Sequence, residues 1–286
     1  MRRSIALAIP VLLVLQNNPA VAGELPEWRT WPTGNRVSLA VGAYNADLST
    51  TIRIDGPVVG TTLSFERDLG MKDNDTRPIV TGYWKFLKRH ALTASYFDLN
   101  RSGGSTSSVE ISIKFPDGID FGDIHFSVDL PIQAFFDVKI FNLGYSYSLL
   151  FSPKQEWKIG LALSFQDFKL GLQGKVLDNP TFEEQVDALA PLPTFTTSYS
   201  YAITDKWMVD LAAGYFTIEF DLGNGKFDGS VLNLNTAIRY KAFKHLGFGL
   251  SYNWFDVNID ISENDDLNGR VDYRYKGPTL FVQTYF

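Results

Sequence analysis

Three observations predict the fold. Apolar and small neutral residues alternate with period 2, aromatics mark both ends of the apolar runs, and the chain stops on a hydrophobic strand-like run, "GPTLFVQTYF" (Gly277 to Phe286). Together they predict an all-β antiparallel transmembrane β-barrel of 12 strands, with 10 as the alternative, joined by short turns on one side and long loops on the other. A soluble antiparallel sheet also alternates, but its wet face favours Lys and Glu. Here that face is Gly, Ser, Thr, Asn and Ala.

The first 22 residues read as an export leader. Arg2 and Arg3 precede the apolar run "IALAIPVLLVL", and "AVA" (Ala20 to Ala22) supplies small residues before Gly23. The run is shorter than the roughly 20 residues of a membrane-spanning helix. Losing the leader takes the formal net charge from −6 to about −8, a balance that excludes nucleic acid as an expected partner. The chain has no cysteine and three histidines (His90, His125, His245), so neither a metal site nor a cofactor is expected. Residues 23–34, "GELPEWRTWPTG", form a periplasmic segment or a lumen plug, and residues 35–286 form the barrel.

Strands follow in order. "RVSLAVGAY" is one. "TTIRID" and "TTLSFE" are either two further spans or a hairpin projecting above the membrane, which is the choice between 12 and 10. In "EWKIGLALSF", Trp157, Ile159, Leu161, Leu163 and Phe165 share one face and Glu156, Lys158, Gly160, Ala162 and Ser164 the other. "FNLGYSYSLLF", "TFTTSYSYAI", "WMVDLAAGY", "VLNLNTAIRY" and "LGFGLSYNW" repeat the split. Trp157 to Phe165 spans about 26 Å of strand, or about 20 Å at barrel tilt, the height of an apolar band between two aromatic girdles. Tight turns fall at "KRH", "SPKQE", "TDK" and "FKHL". Longer connections are "DLGMKDNDT", "LDNPTFEEQVDALAP", "DLGNGKFDG" and "DISENDDLNGR", with room in "TFEEQVDAL" for a helical turn. Dividing the mature chain by twelve leaves roughly 22 residues for each strand and its connection, which favours 12.

The run "TLFVQTYF", with Leu280, Val282 and Phe286 on one face, resembles the closing C-terminal strand of Gram-negative outer-membrane β-barrel proteins. Thr284 departs from that pattern. The resemblance implies a monomer in the outer membrane, in contact with its lipid and lipopolysaccharide and inserted by the barrel-assembly machinery.

Function is less legible. The leading expectation is a narrow diffusion channel or a structural surface barrel, because the inward residues are small, with Lys158, Asp210 and Arg239 as lumen charges that tune ion passage or brace the wall. A second reading is enzymatic: in "DIHFSVDLP", His125, Ser127 and Asp129 share a face, and the His-x-Ser pair resembles outer-membrane phospholipase and lipid A deacylase. Both families follow the Ser with Asn, where this chain has Val128. A third reading is an adhesion or ligand-binding platform on the loops. The acidic run Asp256, Asp260, Glu263, Asp265 and Asp266 could share divalent cations with lipopolysaccharide phosphates, without the spacing of a calcium loop.

Overall fold

The structure, a computed structural model, describes residues 35–55, 60–105, 109–113, 124–128, 132–176, 179–221, 225–263 and 267–286. The leader, the 23–34 segment and Asp129 lie outside them. The strands are β1 (Val37–Asp55), β2 (Gly60–Ser64), β3 (Asn74–Leu87), β4 (His90–Ser105), β5 (Val109–Ile113), β6 (Ile124–Val128), β7 (Ile132–Phe151), β8 (Gln155–Val176), β9 (Asn179–Ala202), β10 (Trp207–Asp221), β11 (Gly225–Lys241), β12 (Leu246–Glu263) and β13 (Leu267–Tyr285).

Ten of these close into an antiparallel barrel in the order β1-β3-β4-β7-β8-β9-β10-β11-β12-β13, with β13 pairing back to β1. The barrel therefore has 10 strands, not 12. "TTIRID" is the upper part of the 19-residue β1, and β2 folds back on it from Asp55↔Gly60 to Thr51↔Ser64. This is the projecting hairpin, and one strand precedes β3 where the count of 12 needed three. An even count brings both chain ends to one side. Closure runs through Val41↔Val282 and Ala43↔Leu280. At the rim the Arg36 and Val37 N–H groups donate to the Phe286 carbonyl, and the Phe286 N–H donates to the Val37 carbonyl.

The alternation changes phase partway up the wall. In the lower part large side chains point outward: Leu161 is 55% exposed, Phe195 65% and Leu280 68%. In the upper part they point inward, and Ile140, Leu99 and Leu48 are almost wholly buried. Along β7 the outward set is Phe141, Leu143, Tyr145 and Leu149, and the inward set is Ala134, Phe136, Val138 and Ile140. On β12, Phe248, Leu250 and Tyr252 face out, while Phe255 and Val257 face in. The change is what two solvents demand. Hydrocarbon surrounds the lower wall, so apolar groups belong outside. Water surrounds the upper wall, so they belong in the interior. Just above Phe141 and Phe165 the outward positions become charged, and Asp98, Lys139 and Asp167 lie side by side in register.

The strands continue well above this boundary. β8 has 22 residues and β9 has 24, against the 9 to 11 a membrane-spanning strand needs. "TFEEQVDAL" is thus part of β9, paired to β8, and not a loop with a helical turn. The β3–β4 ladder, by contrast, ends at Ile79↔Phe97. Pro78 brings no N–H to continue it. Above that point side chains replace the ladder: the Asn100 N–H donates to Asp75 Oδ2 at 3.0 Å, and Arg77 Nη2 donates to the Asn100 carbonyl at 3.4 Å. Where β3 stops, the chain between β2 and β3 crosses from β1 to β4. Its Phe65 N–H bonds the Thr50 carbonyl, and the Leu48 N–H bonds the Asp73 carbonyl.

Candidate functional site: the barrel lumen

The inward phase of the upper wall fills the lumen. Tyr44, Leu48, Phe97, Leu99, Phe136, Val138, Ile140, Phe255, Val257, Tyr273 and Tyr275 form one buried cluster with Leu63 of β2 and with Phe65, Leu69 and Met71 of the crossing segment. β8 and β13 stand diametrically opposite in a ten-strand ring, yet the Phe168 and Tyr273 rings lie 5.7 Å apart, centre to centre. Phe136 on β7 meets Tyr273 at 6.2 Å, and Phe97 on β4 meets Tyr275 at 5.7 Å. Among the described residues, these contacts bridge opposite walls and fill the lumen with rings at this height. The roof is an aromatic core of the kind soluble proteins have, enclosed in a barrel.

The crossing segment (the tuck) is fixed by an ion pair as well as by packing. Arg101, with a side chain 1% exposed, pairs with Glu66 and donates from Nη2 to Thr50 Oγ1 at 2.6 Å. Glu66 also accepts the Thr50 N–H at 3.0 Å, and the guanidinium lies 5.1 Å over the Phe136 ring. Phe65 meets Phe136 edge-on at 5.3 Å. Gly103 permits the approach: a Cβ there would lie 2.5 Å from the Gly70 carbonyl and the Met71 nitrogen.

Near the tight turns, a second layer of charge forms the floor. Lys85 Nζ on β3 reaches Glu156 Oε1 on β8 at 2.8 Å, although β4 and β7 separate their strands. Ser148 Oγ donates to the same oxygen at 2.5 Å. Lys158 lies 3.8 Å from Glu156 Oε2 and 5.0 Å from the centre of the Tyr83 ring. Arg239 pairs with Asp210 through Nη2 at 2.5 Å and Nε at 2.6 Å, and Ser200 Oγ donates to Asp210 at 2.6 Å. Between roof and floor lies a chamber of about 500 Å³ whose walls include Thr93, Ser95, Asn142, Thr194, Asn233 and Asn253.

Lys158, Asp210 and Arg239, read from the sequence as lumen charges, therefore stand together in the floor. Their partners Tyr83, Lys85 and Glu156, and the pair Glu66–Arg101, escaped that reading. Lys85 and Glu156 each occupy an inward position beside a tight turn, which was the available signal. Leu280, Val282 and Phe286 face outward on the closing strand, 68%, 44% and 69% exposed. His125 and Ser127 belong to the β5–β6 ladder, a two-stranded sheet separate from the barrel, where Ser127 is opposite Glu110 and His125 opposite Ser112. Of the acidic run, Asp256 pairs with Arg274 and Asp260 with Arg270, both at 2.5 Å, so these carboxylates are engaged by the neighbouring strand. Among the described residues no cluster of three metal-ligating side chains forms.

A closed ring of strands, an apolar exterior bounded by a charged belt, and a filled interior define a transmembrane β-barrel of the outer-membrane type. No protein-family model matches the chain, and no curated sequence does. Solved structures similar to it include the outer membrane protease OmpT from Escherichia coli (10% identity over 87% of this chain and 97% of that one, TM-score 0.49). Others are the outer membrane protein OprG from Pseudomonas aeruginosa (12%, 88% and 97%, TM-score 0.38) and the toluene transporter TodX of Pseudomonas putida (9%, 88% and 90%, TM-score 0.32). The likeness is one of architecture, and these proteins differ in what they do.

Proposed function

We propose that the protein is a structural surface barrel of the Gram-negative outer membrane, exported with a cleaved leader, whose lumen is shut at rest and passes no solute. The observation that carries this reading is the contact of Phe168 and Tyr273 across the full width of the barrel. A passage for water and ions needs a continuous polar path, and the buried aromatic layer offers none. The floor charges then act mainly as braces tying β3 to β8 and β10 to β11. A diffusion channel requires these wall rings to part as well as the tuck to leave. Lipid hydrolysis at His125 and Ser127 has less support, because neither residue lies on a wall strand.

The test is conductance of the refolded mature chain in a planar bilayer, beside a variant in which residues 62–72 are replaced by a short Gly–Ser linker and the bridging rings are removed by Tyr273→Ser and Tyr275→Ser. The native chain is expected to be silent and the variant to give discrete steps. Steady open steps from the native chain would overturn the reading.

A further inference from the structure

We propose that the chamber between roof and floor is a binding site for a small oxyanion, a carboxylate or a phosphate, anchored by the Lys158 ammonium. An ammonium carries three N–H donors and no acceptor. Among the described residues, the oxygen paired with Lys158 is Glu156 Oε2 at 3.8 Å, beyond hydrogen-bonding reach. It also lies over the face of Tyr83 and within electrostatic range of Asp210, whose oxygens Arg239 and Ser200 already engage. Glu156 is already engaged, since its Oε1 accepts from both Lys85 and Ser148. Two ammonium groups thus share one carboxylate, and the floor keeps a positive charge that the neighbouring Arg239–Asp210 pair does not offset.

That charge faces the cavity. The Lys158 side chain is 14% exposed, and it lines the chamber together with Glu156, Ser198 and Thr196. An ion held away from bulk water and without hydrogen bonds is costly. Low-dielectric walls also concentrate its field within the lumen. A cation would be repelled by this surplus. A neutral sugar could use the wall hydroxyls and amides but would leave the ammonium unanswered. An oxyanion meets both, taking the N–H donors of Lys158 and accepting from wall groups. The site lies below the roof and goes beyond the closed-barrel reading without depending on it.

The experiment is calorimetric titration of the refolded mature chain, in detergent, with sodium phosphate and sodium benzoate, and with benzamide and glucose as neutral probes. Native protein and Lys158→Arg are expected to bind at least one anion, and Lys158→Met to bind it about 30-fold or more weakly. Preference for phosphate would identify an inorganic oxyanion; preference for benzoate would identify an organic acid that also uses the aromatic groups. Equal affinity in Lys158→Met, equal binding of the neutral probes, or no heat from either anion would overturn the proposal. A second measurement needs no variant: in the native chain, the bound anion must protect Lys158 from reductive methylation, read by mass spectrometry. Unchanged labelling would count equally against the site.

Discussion

Replacing Glu66 with Gln tests how the tuck is held. The substitution keeps an oxygen for the Thr50 N–H but removes the charge that answers Arg101, whose side chain is 1% exposed. Breaking a buried ion pair from one side costs about 3–5 kcal/mol, because the remaining charge stays buried. Even the lower figure, at 1.4 kcal/mol per tenfold, raises the population of the released tuck about 100-fold. Trypsin reads that population, since Arg67 and Lys72 lie within the segment and cleavage needs the chain locally open. The single variant should be nicked at these residues about two orders of magnitude faster than the native chain. The double variant Glu66→Gln, Arg101→Met should return most of the way, having no stranded charge. If single and double variants are nicked at the native rate, the pair does not hold the tuck.

Two other predictions concern the same element. Gly103→Val places carbon against Gly70 and Met71 backbone, which cannot give way as a flexible side chain could. It should release the tuck, read as faster trypsin nicking at Arg67 and Lys72, while the membrane-embedded wall keeps its heat-dependent gel migration; nicking at the native rate would refute it. Acid should loosen the segment too. Asp68 is held below the usual carboxylate range chiefly by its hydrogen bond from Arg67; burial opposes this, and the Ser64 N–H supports it. A depressed value stabilises above the unfolded value, near pH 4, and that contribution is lost as pH falls through the folded one. Hydrogen exchange over residues 62–73 should therefore quicken below about pH 4, and Asp68→Asn should abolish the step. A step that persists in Asp68→Asn would assign it elsewhere.

The lower wall was legible in the sequence because one solvent acts on it throughout. From Trp157 to Phe165 every second residue is apolar, and the face opposite is small. The upper wall was not, because "FDVKIF" (Phe136 to Phe141) shifts its apolar positions from even to odd numbers as the strand enters the membrane. A reader following one phase takes the inward Val138 and Ile140 for noise and infers an empty lumen. The preference for 12 strands over the alternative of 10 failed for a related reason. "TTIRID" alternates like a wall strand, and only its pairing with β2 on one side and β13 on the other shows that it is the upper end of β1, above the bilayer. Lys158, Asp210 and Arg239 could be placed in the lumen by parity. Lys85 reaching Glu156 over two intervening strands depends on barrel curvature and stagger, which no local pattern encodes.

The slip in alternation also works as a waterline. Sinking the barrel by two residues, about 6–7 Å of strand, would draw Lys139, Asp98 and Asp167 into hydrocarbon. A lysine facing lipid costs from about 0–1 kcal/mol near the interface to about 2–4 kcal/mol at the midplane, and an aspartate less. Raising it by as much would lift Phe141 and Phe165 into water and strip the girdle from its lipid. Neither displacement can be relieved by tilting one strand, since all ten are laced into one ring. In a bilayer of the wrong thickness it is therefore the lipid that must stretch or thin around this protein, and the height at which it floats is written into the parity of its strands.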